Sequence, residues 1–215
     1  MATRLHAGRR QAARARVSQT LVHPYDDDAV IAGQGTIALE LLRQCPQLDA
    51  ILVPTSGGGM LGGIAAAARA LRPSVRVIAV EPEGKRLGEA LASDQRVVDP
   101  ATVNALLDTC ADAIRTQALG ARPWAIARAL VDPAVLSVDN AAIAAASRLA
   151  FSELKQVVEP AGAVTLAALL SPAFASLRDE AAAAGQPLTH VAAIVCGGNT
   201  DLDAFVSLTS AHTDR

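Results

Sequence analysis

Short, continuously apolar runs alternate with longer alanine-rich runs along the 215 residues of the chain. Two of the apolar runs, DAILVP at 49–54 and VRVIAVEP at 75–82, predict strands that are buried on both faces of a sheet. The stretch between them, residues 60–71, predicts a helix that Arg72 and Pro73 end. These three elements form a βαβ unit, so we expect the two strands to be parallel.

Further helices and strands are predicted on both sides of this unit. Upstream, GQGTIALELLRQCP at 33–46 predicts a helix. Downstream, a strand at AVLSV precedes a helix predicted over 140–157, for which Asp139 is the N-cap, and Pro160 suits the first turn of another helix. HVAAIVCGGNTDLDAF at 190–205 predicts a strand, a glycine turn and a helix. The pattern therefore predicts an α/β fold with a mostly parallel, open sheet flanked by helices.

Composition and charge narrow the class of protein. The chain is 51% hydrophobic with a net charge of −2, which suits one domain-sized core and gives no reason to expect nucleic acid as a partner. No apolar run reaches the roughly 20 residues that span a bilayer, so no membrane segment is expected. Three cysteines, an odd number without CxxC spacing, indicate a reducing, cytoplasmic compartment.

The leading segment, residues 1–20, differs from the rest of the chain because it holds five arginines and no acidic residue. One interpretation is an Arg-rich leading helix or tail on the surface of the domain. The other is a targeting segment, because organelle transit peptides have the same composition. The sequence leaves both open.

The motif PTSGGGMLGG at 54–63 lies between the first predicted strand and the following helix, and half of its residues are glycine. One explanation is a dinucleotide site: residues 57–62 match G-x-G-x-x-G, and Glu81 lies 19 residues further on, where an acid would bind a ribose hydroxyl. A second is a phosphate cup built from backbone N–H groups, the helix N-terminus and the hydroxyls of Thr55 and Ser56. A third is a tight turn with close helix–sheet packing.

Two other places favour the phosphate cup. AAIVCGGN at 192–199 is a second strand followed by a glycine turn, and it places Cys196 at the end of the strand. VVEPAGAV at 157–164 places Glu159 immediately before a predicted helix. Because ligands of open parallel sheets bind outside the carboxyl ends of the strands, both glycine turns can face one crevice. A dinucleotide fold needs neither of these additional elements.

Five motifs in a fixed order extend from about residue 21 to about residue 205: HPYDD…VIAGQGTIALELL, VPTSGGGMLGGIA, AVEPEG, VEPAGAV and VCGGNTDL. In the residues of these motifs and in their spacing, the chain resembles serine racemase and the serine/threonine dehydratases, which are fold-type II enzymes dependent on pyridoxal 5′-phosphate (PLP). The resemblance implies that residues 21–215 are the PLP-phosphate-binding portion of the large domain in a tryptophan synthase β-like fold, and that this catalytic domain is incomplete.

The resemblance also implies roles for individual residues. Cys196 corresponds to the residue that faces the pyridine nitrogen of PLP, and Glu159 to the glutamate of the family's EP(A/T)AG motif near the cofactor. A thiol does not force protonation of the ring nitrogen, so the ring is a milder electron sink, suited to α-proton removal followed by loss of water or reprotonation. The loop that cups the phosphate through backbone amides corresponds to Ser56, Gly57, Gly58, Gly59 and Met60.

For Glu81 the resemblance implies a different role. It corresponds to an acid that helps to bind a divalent cation such as Mg²⁺ in racemase-type members. The second carboxylate of that site falls at Leu87, which cannot be a ligand. The alternative is that Glu81 caps the end of its strand.

The two lysines of the chain, Lys85 and Lys155, lie outside the SxKxRG context in which the family's enzymes carry the lysine that bonds the cofactor's aldehyde. Lys85 follows VEPEG, on the loop matched to the cation site, and Lys155 lies in the stretch SELKQ, predicted to be a solvated helix. The family's lysine motif belongs to its N-terminal part. We therefore expect a C-terminal part that is inactive alone, and we assign no catalytic residue.

Three functions stay open at this point. The first is a PLP-dependent serine/threonine dehydratase (an ammonia-lyase) or a serine racemase, with serine or threonine as substrate and a homodimer as the family's common assembly. The second is a lysine-less PLP- or phosphate-binding module without catalysis. The third is a fragment of an NAD-dependent oxidoreductase.

Overall fold

A computed structural model describes residues 20–210 of the chain. Its sheet has four parallel strands in the spatial order β3-β2-β1-β4. The strands are β1 (Ala50–Pro54), β2 (Arg76–Pro82), β3 (Val135–Val138) and β4 (Val191–Ala193). This arrangement confirms the predicted α/β fold with an open parallel sheet.

Eight α-helices are described, and they connect or follow the strands. They are α1 (Asp28–Gln44), α2 (Gly59–Leu71), α3 (Leu87–Ser93), α4 (Ala121–Leu130), α5 (Asn140–Ser152), α6 (Pro160–Leu169), α7 (Pro172–Ala183) and α8 (Leu202–Ser210). The predicted N-cap is confirmed, because the Asp139 carboxylate accepts the N–H of Ala142. Pro160 is the first residue of α6, as expected from its fixed φ.

Two of the predicted helix bounds were wrong. The first helix begins at Asp28 instead of residue 33, because the Asp27 carboxylate accepts backbone N–H groups and caps it there. The helix predicted over 140–157 ends at Ser152. Beyond that point Lys155 takes a left-handed conformation with φ of +58°, which stops helical hydrogen bonding, so Lys155 is exposed in a loop.

Apolar side chains cover both faces of the sheet. On one face Leu52, Ile78 and Val80 pack in a core with α5 and α6. On the other face, alternate residues of the same strands, including Ile51 and Val53, pack in a core with α1, α2 and α4. β1 is buried along its whole length, which confirms the prediction of a strand covered on both sides.

The leading segment lies almost entirely outside the described residues, which begin at residue 20. The alternatives of an Arg-rich helix and a targeting segment therefore stay predictions. Within residues 20–210 no single helix has the length and apolar character needed to cross a membrane; only the bent pair of α6 and α7 meets both criteria together.

Candidate functional site

The candidate site lies at the carboxyl edge of the sheet, between β1 and β4. Within the sheet β2 and β3 lie on one side of β1, whereas β4 lies on the other side. The direction in which successive strands are added to the sheet therefore reverses at β1. Ligands of open α/β sheets bind in the crevice at such a reversal. A cavity of about 450 Å³ occupies this place. All the residues predicted to bind the cofactor line it: Ser56, Gly57, Gly58, Gly59, Met60, Glu159 and Cys196.

The glycine loop presents unused hydrogen-bond donors to this cavity. Gly58 has a φ of +91° and precedes the first turn of α2, which begins at Gly59. Among the described residues, none accepts a hydrogen bond from the backbone N–H groups of Gly57, Gly58, Gly59 or Met60. These N–H groups, together with the partial positive charge of the helix N-terminus, suit an anion such as a phosphate.

Tyr25 covers the loop and explains why two of its residues have no side chain. A Cβ atom at Gly57 would lie 2.3 Å from the Tyr25 ring, and one at Gly59 would lie 3.0 Å from Tyr25 Cα. The ring also packs edge-to-face on His23, with 4.6 Å between the ring centres. Tyr25 was not predicted as a site residue, although its position in the HPYDD motif was the available signal.

A second missed residue, Thr116, connects the loop to Lys85. Ser56 Oγ lies 3.2 Å from Thr116 Oγ1, and the two hydroxyls form a hydrogen bond. The ammonium of Lys85 donates to the backbone carbonyl of Thr116 and lies 3.4 Å from its Oγ1. Thr116 follows the short 3₁₀-helix Asp112–Ile114, far from the loop in sequence, so no local pattern could have revealed the contact.

Cys196 and Glu159 lie together at the other side of the cavity. Burial raises the pKa of the Cys196 thiol, and the Glu159 carboxylate raises it further, so the sulfur is a neutral thiol at pH 7. One Glu159 oxygen accepts the N–H of Asn199 at 3.1 Å. Gly197 lies beside it with φ of +84°, a conformation that favours glycine, and a Cβ there would lie 2.5 Å from the Glu159 carboxyl group.

Glu81 lies outside this cavity and is held by donors of the protein. Its carboxylate accepts the N–H of Leu87 at 3.0 Å and the hydroxyl of Ser137 at 3.0 Å. Burial raises the pKa of Glu81, while these hydrogen bonds oppose the shift. Within residues 20–210 no three His, Cys, Asp or Glu side chains form a group that could hold a metal ion. The carboxylate caps the start of α3, and its role as a cation ligand stays a prediction.

Neither lysine lines the cavity in the part of the chain that the structure describes. Lys155 is exposed, whereas Lys85 is buried and reaches only the back of the wall, at Thr116. The donors among the lining residues of the cavity are thus backbone N–H groups, hydroxyls, the thiol of Cys196 and the side-chain amide of Gln34. This set fits the phosphate end of PLP, which such donors bind without a cation in the loop.

The fold and the cavity define an α/β protein with a candidate anion site at the reversal point of a parallel sheet. The chain belongs to the family of pyridoxal-phosphate dependent enzymes, which matches residues 2–197. Membership confirms the predicted resemblance and implies PLP as the cofactor. It argues against the dinucleotide explanation of the glycine loop.

Three relatives illustrate the similarity. The serine racemase of Arabidopsis thaliana is 40% identical over 188 residues, covering 86% of this chain and 53% of that protein. A crystal structure of a pyridoxal 5′-phosphate-dependent aspartate racemase matches with a TM-score of 0.82 and 39% identity, covering 90% of this chain and 56% of its own. The threonine deaminase of T.th. matches with a TM-score of 0.74 and 39% identity, covering 89% of this chain and 65% of the threonine deaminase chain. The chain spans about half the length of the curated relatives it matches.

Proposed function

We propose that this chain is the PLP-phosphate-binding part of an enzyme that acts on a small amino acid, as a serine/threonine dehydratase or a serine racemase. The observation that carries the proposal is the cavity at the reversal point, with its free backbone N–H groups on one side and Cys196 on the other. The names of the relatives, serine racemase and threonine deaminase, support the substrate class. The homodimer and the cytoplasmic location stay predictions.

In this proposal each group of residues has a definite task. The N–H groups of Gly57 to Met60 and the hydroxyl of Ser56 bind the phosphate, which anchors the cofactor at the N-terminus of α2. The neutral thiol of Cys196 would hold the pyridine nitrogen of the cofactor without imposing a proton on it. When bound, PLP supplies an electron sink for removal of the substrate's α-proton.

A second candidate, a PLP- or phosphate-binding module without catalysis, is favoured by one observation. No lysine of residues 20–210 lines the cavity, and the covalent chemistry of PLP enzymes requires one. We therefore expect the chain alone to bind PLP through its phosphate and to convert neither L-serine nor L-threonine.

The first test combines binding with covalent trapping. PLP is added to the purified chain, the mixture is reduced with borohydride, and the intact mass is measured. We expect saturable binding that inorganic phosphate competes with, and no stoichiometric adduct on a single lysine. A stoichiometric adduct at Lys85 or Lys155 would show that the chain carries its own cofactor-bonding lysine and would contradict the proposal of inactivity.

The second test separates the two candidates. The chain is co-expressed with the lysine-bearing N-terminal half of the Arabidopsis serine racemase, and formation of pyruvate or D-serine from L-serine is measured. Product formation above that of either half alone supports the enzyme part. A complex that binds PLP but forms no product supports the non-catalytic module.

A further inference from the structure

Lys85 is almost completely buried, with 3% of its surface exposed. It lies in the turn between β2 and α3, where the neighbouring residues Gly84 and Arg86 take left-handed conformations with φ of +90° and +62°. A lysine is seldom buried to this extent, because the loss of hydration of its ammonium group must be compensated by other interactions. The contacts of its ammonium group therefore indicate which function the buried lysine has.

The positive charge of Lys85 has no direct counter-ion among the residues that the structure describes. Within residues 20–210 it forms no ion pair with a carboxylate, and Glu81 acts on it only through longer-range attraction. Burial lowers the pKa of Lys85 to about 8, so the ammonium form still dominates at pH 7. The turn thus holds a buried positive charge beside the wall of the cavity.

Hydrogen bonds connect Lys85 through Thr116 to Ser56 in the glycine loop. An ammonium group can only donate, so Thr116 Oγ1 accepts from it and directs its own proton elsewhere. Ser56 Oγ lies within reach at 3.2 Å, and either of the two hydroxyls can be the donor of this hydrogen bond. When Thr116 is the donor, the proton of the Ser56 hydroxyl is free to point at an acceptor in the cavity, which Ser56 lines.

The wall of the cavity is short of positive charge. None of its lining residues within the described part of the chain is Lys or Arg, and it carries the carboxylate of Glu159. A phosphate monoester bears about two negative charges at pH 7, whereas a helix N-terminus offers about half a positive charge. An additional positive charge behind the loop would therefore strengthen phosphate binding.

We propose that Lys85 is a positioning residue for the phosphate of the cofactor, acting through Thr116 and Ser56. Its ammonium orients the two hydroxyls so that Ser56 donates into the cavity, and its charge balances part of the phosphate's charge. This inference rests on the proposed function and deepens it. It predicts that Lys85 matters for the phosphorylated form of the ligand and not for the unphosphorylated form.

The test compares two ligands that lack the aldehyde, pyridoxine 5′-phosphate and pyridoxine, so that no lysine can form a covalent adduct with them. Affinities are measured by isothermal titration calorimetry. Lys85→Met is expected to weaken binding of pyridoxine 5′-phosphate about tenfold and to leave binding of pyridoxine unchanged. Lys155→Met, which removes the exposed lysine, is the matched control and should change neither affinity.

A second variant tests the connection without removing the charge. Thr116→Val deletes the hydroxyl between Lys85 and Ser56, and we expect a loss confined to the phosphorylated ligand. The double variant should lose no more than the larger of the two single losses, because both changes break one chain of hydrogen bonds.

The possible failures are distinguishable. A wild-type protein that binds both ligands equally contradicts the proposed function itself. If the wild type prefers pyridoxine 5′-phosphate to pyridoxine and Lys85→Met keeps the same preference, the result contradicts the proposed role of Lys85 but not the proposed function. If circular dichroism shows that Lys85→Met does not fold, Thr116→Val decides, and an unchanged preference in that variant overturns the proposal.

Discussion

The first three and the last two glycines of PTSGGGMLGG belong to one motif but meet different surroundings. Gly57, Gly58 and Gly59 line the cavity beneath Tyr25. Gly63 instead contacts the backbone of α1, where a Cβ atom would lie 2.3 Å from the carbonyl oxygen of Ile31. The front of the motif lines the candidate site, and Gly63 at its rear allows α1 and α2 to pack closely. A pattern such as G-x-G-x-x-G cannot separate these two tasks.

The largest effect is expected at the rear of the motif, where Gly63→Ala should lower the free energy of unfolding by about 3 kcal/mol. The added methyl group meets backbone atoms of α1, including the nitrogen of Gly35 at 2.6 Å, and backbone cannot move aside as a side chain can. Urea denaturation followed by circular dichroism measures the change.

Gly62→Ala is the matched control for this prediction. The atoms nearest to its new Cβ would be Cδ1 of Ile126 and Cα of Pro123, at 3.5 Å and 3.6 Å, which are ordinary contacts. Because alanine is the better helix former, we expect this variant to be as stable as the wild type or up to about 1 kcal/mol more stable. Equal losses in both variants would show that helix packing does not explain the rear glycines.

A somewhat smaller effect concerns Lys85, which lies behind the front of the motif. Its pKa is about 8 in the folded protein, against about 10.4 for a lysine in an unfolded chain. Between these values the unfolded state binds the proton and the folded state does not, so stability rises with pH. The loss of stability that comes from burying the charge is fully present below pH 8 and disappears as the pH rises from about 8 to about 10.4.

From pH 7 to pH 9.5 the gain attributable to Lys85 is about 2 kcal/mol. It is measured as the change in unfolding free energy of the wild type minus that of Lys85→Met, so that other titrating groups cancel. Lys155→Met should keep the full gain, because that lysine is exposed. If the unfolding free energies of the wild type and of Lys85→Met change with pH in the same way, the ammonium group of Lys85 is solvated.

The sequence was sufficient to predict the sheet, because strands such as β1 are continuously apolar and bounded by turns. It also identified the loop from Ser56 to Met60 and the turn at Cys196, since glycine after a buried strand is a local signal. Tyr25 was missed although it lies in the HPYDD motif. Thr116 and the burial of Lys85 escaped prediction for a different reason: each depends on a contact between distant segments. In the sequence, Lys85 occurs in a polar turn, and only the tertiary structure places its ammonium against Thr116.

The smallest effect is expected at the front of the motif, where Gly57→Ala should reduce the affinity for pyridoxine 5′-phosphate about tenfold, equivalent to about 1.4 kcal/mol. The methyl group would overlap the ring of Tyr25. We expect the displaced ring to cover the N–H groups that are proposed to bind the phosphate. A ring can shift more easily than backbone, so the loss of stability should stay near 1 kcal/mol. The affinity is again measured by calorimetry.

The double variant Gly57→Ala with Tyr25→Ala separates this explanation from a general weakening of the loop. Removing the ring removes the overlap, so the double variant should bind pyridoxine 5′-phosphate as well as Tyr25→Ala alone. If the double variant binds as poorly as Gly57→Ala, the absence of a side chain at residue 57 is required by the ligand itself and not by Tyr25. The front of the motif would then be shaped directly for the phosphate, and its contrast with the rear, where helix packing excludes a side chain, would become sharper.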